Sequence, residues 1–386
     1  MKILVAGDYC PIGRVTEMLD NSMNNGLFGG YTEVLKEMDF SIINLECPVT
    51  NSSNGILKTG PLLKSENLQS LISLKELGFD LLTLANNHIL DYSQDGVLDT
   101  IRNAHGVGLE TVGAGENLEI ASRPYIVNLD NQSVGILNMA ENEFCGATIH
   151  TAGAFTFDLI SILTIIKNIR STVDKVILIY HGGREHYNLP TPEIRRRFRF
   201  LIDSGVDAIV AHHTHCIGGF EYYKDKPIVY SLGNFLFDYK VKYQKGEWIY
   251  GYCVKLSSLD KDSPFKIDFI PHMQGEKSDF RLRLLIGEEK NLVLDKIYGL
   301  NKIIKDDDKF FQSWYSYLIS QRTFYLSSLM IKNKYLRYLF MLRFLPSGFL
   351  YSRHNRLVLN LIRCETHHEI LKNILIIENE NSNIIK

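Results

Sequence analysis

Apolar residues fall along this chain in short dense blocks rather than in strict alternation. Between residue 1 and about residue 275 the blocks are KILVAG (2–7), SIINLE (41–46), DLLTLAN (80–86), VGILNMA (134–140), VILIYHG (176–182), DAIVAH (207–212) and PIVYSLG (227–233). Runs rich in Val, Ile and Leu at this length predict strands buried on both faces. Between them the apolar period lengthens to that of a helix. ENLQSLISLKELG (66–78) spaces Leu68, Leu71, Ile72, Leu74 and Leu77 on one side and stops at Gly78. TPEIRRRFRFLIDSG (191–205) opens with Thr191 as N-cap and Pro192 at the first helical position, buries Ile194, Phe198 and Leu201, and stops at Gly205. Strand–helix–strand repetition of this kind predicts an α/β sheet protein.

After about residue 280 the pattern changes. Aromatic residues and Leu interleave with Lys and Arg over 310–352, and 357–378 reads as a further helix or pair of helices before a polar, Asn-rich end. The expected organisation is a domain over 1–275 followed by a mainly helical extension over 276–386. Two readings compete for the extension. Its apolar stripe packs on the first domain, or Lys332, Lys334, Arg337, Arg343 and Arg353 draw it onto anionic lipid. Apolar residues cover more than one helical face between Tyr335 and Leu345, and Pro346 then interrupts. The expectation is packing, with most of the protein remaining in the supernatant when mixed with anionic vesicles and sedimented.

Composition narrows the class without naming it. The chain has 386 residues, 45% hydrophobic and 22% charged, with a net charge of −2, so nothing pulls it toward nucleic acid and no nucleic-acid partner is expected. Its six cysteines are scattered with no CxxC pair, which removes a zinc-ribbon or disulfide-scaffold reading. The opening MKILVAGD is too short for a signal-peptide core, and no stretch offers the roughly 20 apolar residues of a membrane span. A cytoplasmic, reduced protein is expected.

The chemistry gathers where the apolar blocks end. Asp8 follows the first, Glu46 ends the second, Asn86, Asn87 and His88 follow the third, His181 closes VILIY, and His213 and His215 follow DAIVAH. Open α/β sheets bind ligands at strand carboxyl ends. His213 and His215 lie two apart, so on an extended strand end both rings point the same way, and neutral imidazole is a ligand for zinc, iron or manganese. A solvated polar turn is the competing reading of HHTH. His88 suits proton donation to a leaving oxygen; Asp91 either holds its ring in one tautomer or caps a helix from about Ser93. Glu185, in YHGGREHY, contacts substrate or metal, or pairs with Arg184. Asn234 and Asp238, in SLGNFLFD, line the site or are structural.

These segments, in this order, resemble the CapA family of capsule (poly-γ-glutamate) biosynthesis proteins, within the calcineurin-like metallophosphoesterase superfamily. The resemblance rests on GDYCP (7–11), IINLECPVT (42–50), LGFDLLTLANNHILDYSQDGVLDTI (77–101), VGAG (112–115), YHGGREHYNLPTP (180–192) and SGVDAIVAHHTHCIGGFEYYKDKPIVYSLGNFLFD (204–238), and covers about residues 1–275. It implies a metallophosphoesterase-like sandwich of two β-sheets flanked by helices, with a centre of one or two divalent transition-metal ions (Mn, Zn or Fe). Carried over by position, Asp8, Glu46, Asn87, His181, His213 and His215 are the implied ligands and His88 the proton donor. Asn86, Glu185 and Asn234 are the candidate substrate contacts. Where the superfamily has Asp-x-His this chain has Asp8, Tyr9 and Cys10, and Glu46 replaces a bridging aspartate. The implied function is a metal-dependent hydrolase or transferase in capsule, surface polysaccharide or poly-γ-glutamate synthesis. It would act on a small anionic, glycan or peptide substrate, with peripheral contact to a membrane-bound capsule synthesis complex. The alternative is a non-catalytic assembly component of that machinery.

Overall fold

Both faces of the first strand are buried, each against a different layer. In the computed structural model, which describes residues 1–20, 26–329, 335, 339 and 353–384, β1 (Lys2–Cys10) points Ile3 and Val5 into one core and Leu4 and Ala6 into another. This two-sided burial is why the block KILVAG shows no alternation of polarity. Ile3, Leu4 and Val5 each contribute roughly 1.5–3 kcal/mol on leaving water.

Two sheets carry the fold. The first joins β1 to β2 (Phe40–Leu45), β3 (Leu81–Thr83) and β4 (Glu110–Val112), all parallel. A two-stranded sheet of β5 (Ala114–Gly115) and β8 (Gly153–Ala154) lies apart. The second sheet holds β6 (Tyr125–Leu129), β7 (Gln132–Ala140), β9 (Lys175–His181), β10 (Ala208–His212), β11 (Phe220–Tyr223) and β12 (Lys226–Val229), in the order β11-β12-β10-β9-β7-β6. The first sheet is completed by β13 (Asn234–Phe237) and by β14 (Tyr250–Ser257), β15 (Lys266–Met273) and β16 (Arg283–Leu284). The central core is the interface of the two sheets. Ile3, Val5 and Ile42 of the first meet Ile136, Ile177, Ile179 and Val210 of the second. Helices cover the outer faces: Leu71, Leu74 and Val97 pack over the first sheet, and Ile162, Phe198 and Leu201 over the second. The architecture is an α/β sandwich of two sheets flanked by helices, as the sequence led us to expect.

The predicted helices form with their predicted caps. Thr191 accepts the amide of Ile194, Pro192 opens the helix Pro192–Asp203, and Gly78 ends the helix Gln69–Leu77 at φ 112°. Two strands are shorter than expected. The block 80–86 leaves the ladder after Thr83 because the Ala85 amide donates to Asn138 Oδ1 (2.8 Å). The block 227–233 forms β12 only as far as Val229, although its pairing with the β11 segment runs on in the same register, the Tyr230 amide donating to the Gly219 carbonyl (2.9 Å) and Ile217 bridging Leu232.

The bend that brings in β13 and the hairpin of β14 and β15 lie beyond the last predicted block. Here Gly7 matters: a Cβ on it would lie 2.2 Å from the Gly233 carbonyl oxygen, so only glycine lets β13 pair against β1. The register slips between Ala6 and Asp8 and again between Asp8 and Tyr9, a bulge that sets Asp8 between Asn44 and Asn234.

Beyond residue 276 the chain adds β16 to the first sheet and then turns helical. Val293 and Ile297 of the helix Gly287–Lys305 enter the inter-sheet core, and Ile304 and Phe310 enter the core over the second sheet. The helix Asp307–Leu329 and the helices Arg353–Arg363 and Glu365–Ile384 share a small core of their own, built on Trp314, Leu318, Tyr325, Leu361 and Ile370. No helix among the described residues is long and apolar enough to cross a membrane. Lys332, Lys334, Arg337 and Arg343 lie outside the described residues, as does the side chain of Arg353.

Candidate metal centre

The parallel strands of both sheets end at one edge, and their last residues converge there. β1 delivers Asp8, β2 leads to Glu46, the loop after β3 carries Asn87 and His88, β9 ends at His181, and β10 runs into His213 and His215. All are buried except Asn87, which is half-buried.

Glu46 is the shared member of two groups. Its Oε1 lies 3.6 Å from His181 Nε2 and 3.5 Å from His215 Nε2. One triad is Glu46, His181 and His213, the other Asp8, Glu46 and His215, and within each triad the ligand-type atoms all lie within 4.8 Å of one another. Asn87 Oδ1 joins the first triad, 3.1 Å from His181 Nε2. His213 Nδ1 is 3.2 Å from the same nitrogen.

The paired histidines reach the centre by a different route from the one their spacing suggested. The strand stops at His212, and His213 and His215 adopt φ of 92° and 53°. A tight left-handed turn, rather than an extended strand end, therefore aims the rings. Backbone of this kind costs on the order of 1–3 kcal/mol per residue and persists only where its surroundings hold it. Two such contacts are visible: the His213 amide donates to Asp8 Oδ2 (3.2 Å), and His215 Nδ1 sits 2.9 Å from Asn234 Oδ1.

A cation suits this donor set. Both oxygens of Glu46 are buried without a hydrogen-bond partner, an arrangement that costs several kcal/mol unless an ion or a proton satisfies it. Burial, then Asp8 and Glu185, push the Glu46 carboxyl well above its usual range, so the unpaired carboxylate is held at a cost that a positive ion removes. Burial, then His213, lowers the His181 imidazole, and burial brings His215 down to about 4, leaving both rings in the neutral form that ligates. For Asp8, burial works upward but is outweighed by His212, 3.2 Å away, and by His181 and His215, so it is held well below the usual carboxylate range. Asn44 Nδ2 donates to Asp8 Oδ1 at 2.8 Å and fixes its orientation.

At the mouth of the centre, His88 Nδ1 is 2.7 Å from Asp91 Oδ2, which also accepts the Leu63 amide. Asp91 Oδ1 pairs with Lys58, whose Nζ lies 3.2 Å from His88 Nδ1. Burial, then Lys58, lowers the His88 ring below its usual value. Tyr92 holds the N-cap position of the helix Ser93–Gly106, so Asp91 serves the ring rather than the helix. Glu185 and Arg184 face the same cavity, with Arg184 Nε donating to Tyr317 Oη (2.7 Å).

Two candidate substrate contacts are committed elsewhere. Asn86 Nδ2 donates to the Leu45 carbonyl (2.8 Å), while its Oδ1 accepts the His88 amide. Asn234 bridges His215 and the Trp248 carbonyl and is fully buried. Both therefore position other groups. Asp238 is bound by Arg14 through two nitrogens and is structural.

Residues 2–239 match the model of a family described as bacterial capsule synthesis protein PGA_cap. The chain belongs to this family. Among its curated relatives is the capsule biosynthesis protein CapA of Bacillus anthracis, 30% identical over 246 residues, covering 62% of this chain and 60% of that one. Another is the PGA biosynthesis protein CapA of Bacillus subtilis (strain 168), 30% identical over 232 residues, covering 59% and 61%. The chain thus spans about 60% of the length of these curated relatives. Among solved structures it is similar to a Mycoplasma pneumoniae phosphatase, with 13% identity, 72% and 95% of the two chains covered and a TM-score of 0.44. It is also similar to a 5'-nucleotidase precursor from Thermus thermophilus, with 11% identity, coverage of 79% and 59%, and a TM-score of 0.43. All the strand-end residues above lie inside the span matched by the PGA_cap family.

Proposed function

We propose that this chain is a metal-dependent hydrolase or transferase of the CapA type, acting in capsule, surface polysaccharide or poly-γ-glutamate synthesis. The observation that supports it most is Glu46, an unpaired buried carboxylate shared by two imidazole-bearing triads. Asp8, Glu46, Asn87, His181, His213 and His215 would hold one or two divalent ions, with Mn, Zn or Fe all suited to this N/O donor set. Such an ion, when bound, supplies Lewis acidity that polarises a phosphoryl or acyl oxygen and makes water a nucleophile near neutral pH.

The remaining steps belong to the chain's own side chains. His88 donates its Nδ1–H to Asp91 and presents Nε2 to the cavity; in the imidazolium form its Nε2–H passes the proton to the leaving oxygen, and the ring is left neutral. Lys58 pairs with the second oxygen of Asp91 and, beside Nδ1, weakens the hold of the His88 ring on its proton. Arg184 and Glu185 orient a small anionic, glycan or peptide group at the rim. The chain would work beside membrane-bound capsule synthesis machinery.

The test is hydrolysis of a generic phosphodiester and of a γ-glutamyl substrate by purified protein, before and after chelation. Turnover that disappears on chelation and returns with Mn, Zn or Fe supports the reading. Stoichiometric metal with no turnover on either substrate favours the non-catalytic assembly role instead.

A further inference from the structure

The cavity over the candidate metal centre has a volume of about 180 Å³, and one of its walls comes from outside the family-matched span. Asn87, His88 and His213 line one side; Leu357, Asn360, Leu361 and His367 line the other. The latter four belong to the helices Arg353–Arg363 and Glu365–Ile384.

This wall is fastened by polar contacts, most of them to the loop directly after β7. Glu143 accepts Asn360 Nδ2 (3.0 Å) and lies 3.3 Å from His367 Nε2. Its other oxygen accepts Asn87 Nδ2 (3.4 Å), which ties the helices to an expected ligand of the centre. Arg363 Nε donates to the Asn142 carbonyl (3.2 Å) with its guanidinium over the Phe144 ring, and Glu365 accepts the Asn142 amide (3.0 Å). On the far side Glu369 accepts the Glu193 amide (2.9 Å) and the Thr191 hydroxyl, at the start of the helix Pro192–Asp203. An appendage that merely covered apolar surface would need none of these directional contacts, nor would it supply residues to the cavity.

The volume carries the consequence. Clefts for drug-sized ligands run to roughly 300–1,000 Å³, so this cavity holds only the reacting group, and the rest of a larger molecule extends past Lys58, Thr59 and Gly60 into an adjoining cavity of about 440 Å³. A groove for an internal linkage must continue on both sides of the reacting bond, and here Leu357 and Leu361 stand on one side.

We propose that the helix Arg353–Arg363 is a selectivity wall, which admits a terminal group such as a monoester or chain end and excludes an internal linkage. The inference rests on the hydrolytic reading above. It is tested in the full, metal-loaded chain with Leu357→Ala and Leu357→Trp, since Leu357 lines the cavity, is only partly buried and carries no polar side-chain atom that could hold a metal. The probes are p-nitrophenyl phosphate, a monoester, and bis(p-nitrophenyl) phosphate, a diester. Metal content and the rate at which EDTA strips the metal are measured alongside.

The expected result is a wild-type preference for the monoester. Leu357→Ala raises the diester-to-monoester ratio of kcat/KM by about tenfold, the scale set by a few methylene groups in a pocket, and Leu357→Trp lowers it. Unchanged ratios in both variants, at unchanged metal content, overturn the wall. If the wild-type chain holds metal but hydrolyses neither probe, the hydrolytic reading fails and the stripping rates decide. Faster stripping in Leu357→Ala and slower in Leu357→Trp uphold the wall, and equal rates overturn it. A wild-type chain that holds no metal overturns both readings together.

Discussion

Asp91 Oδ2 lies 2.7 Å from His88 Nδ1, and the pair is buried at the mouth of a cluster of histidines and carboxylates. A carboxylate in that position fixes which ring nitrogen carries the proton, and so which nitrogen faces the cavity. The relationship is spaced three residues apart in the sequence, but its meaning depends on Lys58, which arrives from a segment with no periodic pattern and neutralises the second carboxylate oxygen.

His88→Ala is therefore expected to keep bound metal and lose most turnover, since a positioned acid or base contributes typically ~10²–10⁴-fold. Asp91→Asn should lose part of the same factor through the wrong tautomer, with KM little changed. Steady-state kinetics beside metal analysis check this. An unchanged rate in His88→Ala would make the ring structural.

Gly7→Ala should act on both stability and the site. The added methyl meets the Gly233 carbonyl at 2.2 Å, and relieving that overlap displaces β13, which carries Asn234 against His215. Overpacking of this kind costs roughly 1–3 kcal/mol, to be read as a lower urea midpoint. Weaker metal retention should accompany it, whereas a wild-type midpoint would show that the two strands part freely.

Glu369 gives a pH dependence. Burial raises its carboxyl from 4.5 to about 7, against the opposing pull of Thr191 and the Glu193 amide. The folded chain thus binds this proton more tightly than the unfolded chain. Its stabilisation is fully present below about pH 4.5 and is lost as the pH rises through 7. Glu369→Gln removes the ionisation and should stabilise the protein at pH 8 by on the order of 1–3 kcal/mol, with a much smaller difference at pH 5. Thermal unfolding of both proteins at the two pH values measures it, and equal gains at pH 5 and pH 8 would refute the assignment.

Much of the site could be read before the fold was known, and for a physical reason. Doubly buried parallel strands must be apolar along their length, so a His, Asn or carboxylate at their ends stands out against the block before it; Asp8, Glu46, His181, His213 and His215 are all of this kind. What stayed hidden depends on where separate segments meet. The residues NLECP alone do not announce that Glu46 joins two triads, a bridging place that only the family resemblance implied, and the left-handed turn at His213 and His215 is invisible to a rule based on strand alternation. Asn44 was within reach, since it lies on β2 two residues before Glu46, the spacing that puts extended-chain side chains on one face. Glu143, Asn360 and His367 were not, because their partnership spans more than two hundred residues of chain.

The central claim is that this cluster holds metal, and elemental analysis of the purified chain tests it most directly. The wild-type protein should carry Mn, Zn or Fe in stoichiometric amount, and the double variant His213→Ala with His215→Ala should carry none while keeping its circular dichroism spectrum. A correctly folded double variant that still holds stoichiometric metal would contradict the assignment of the centre.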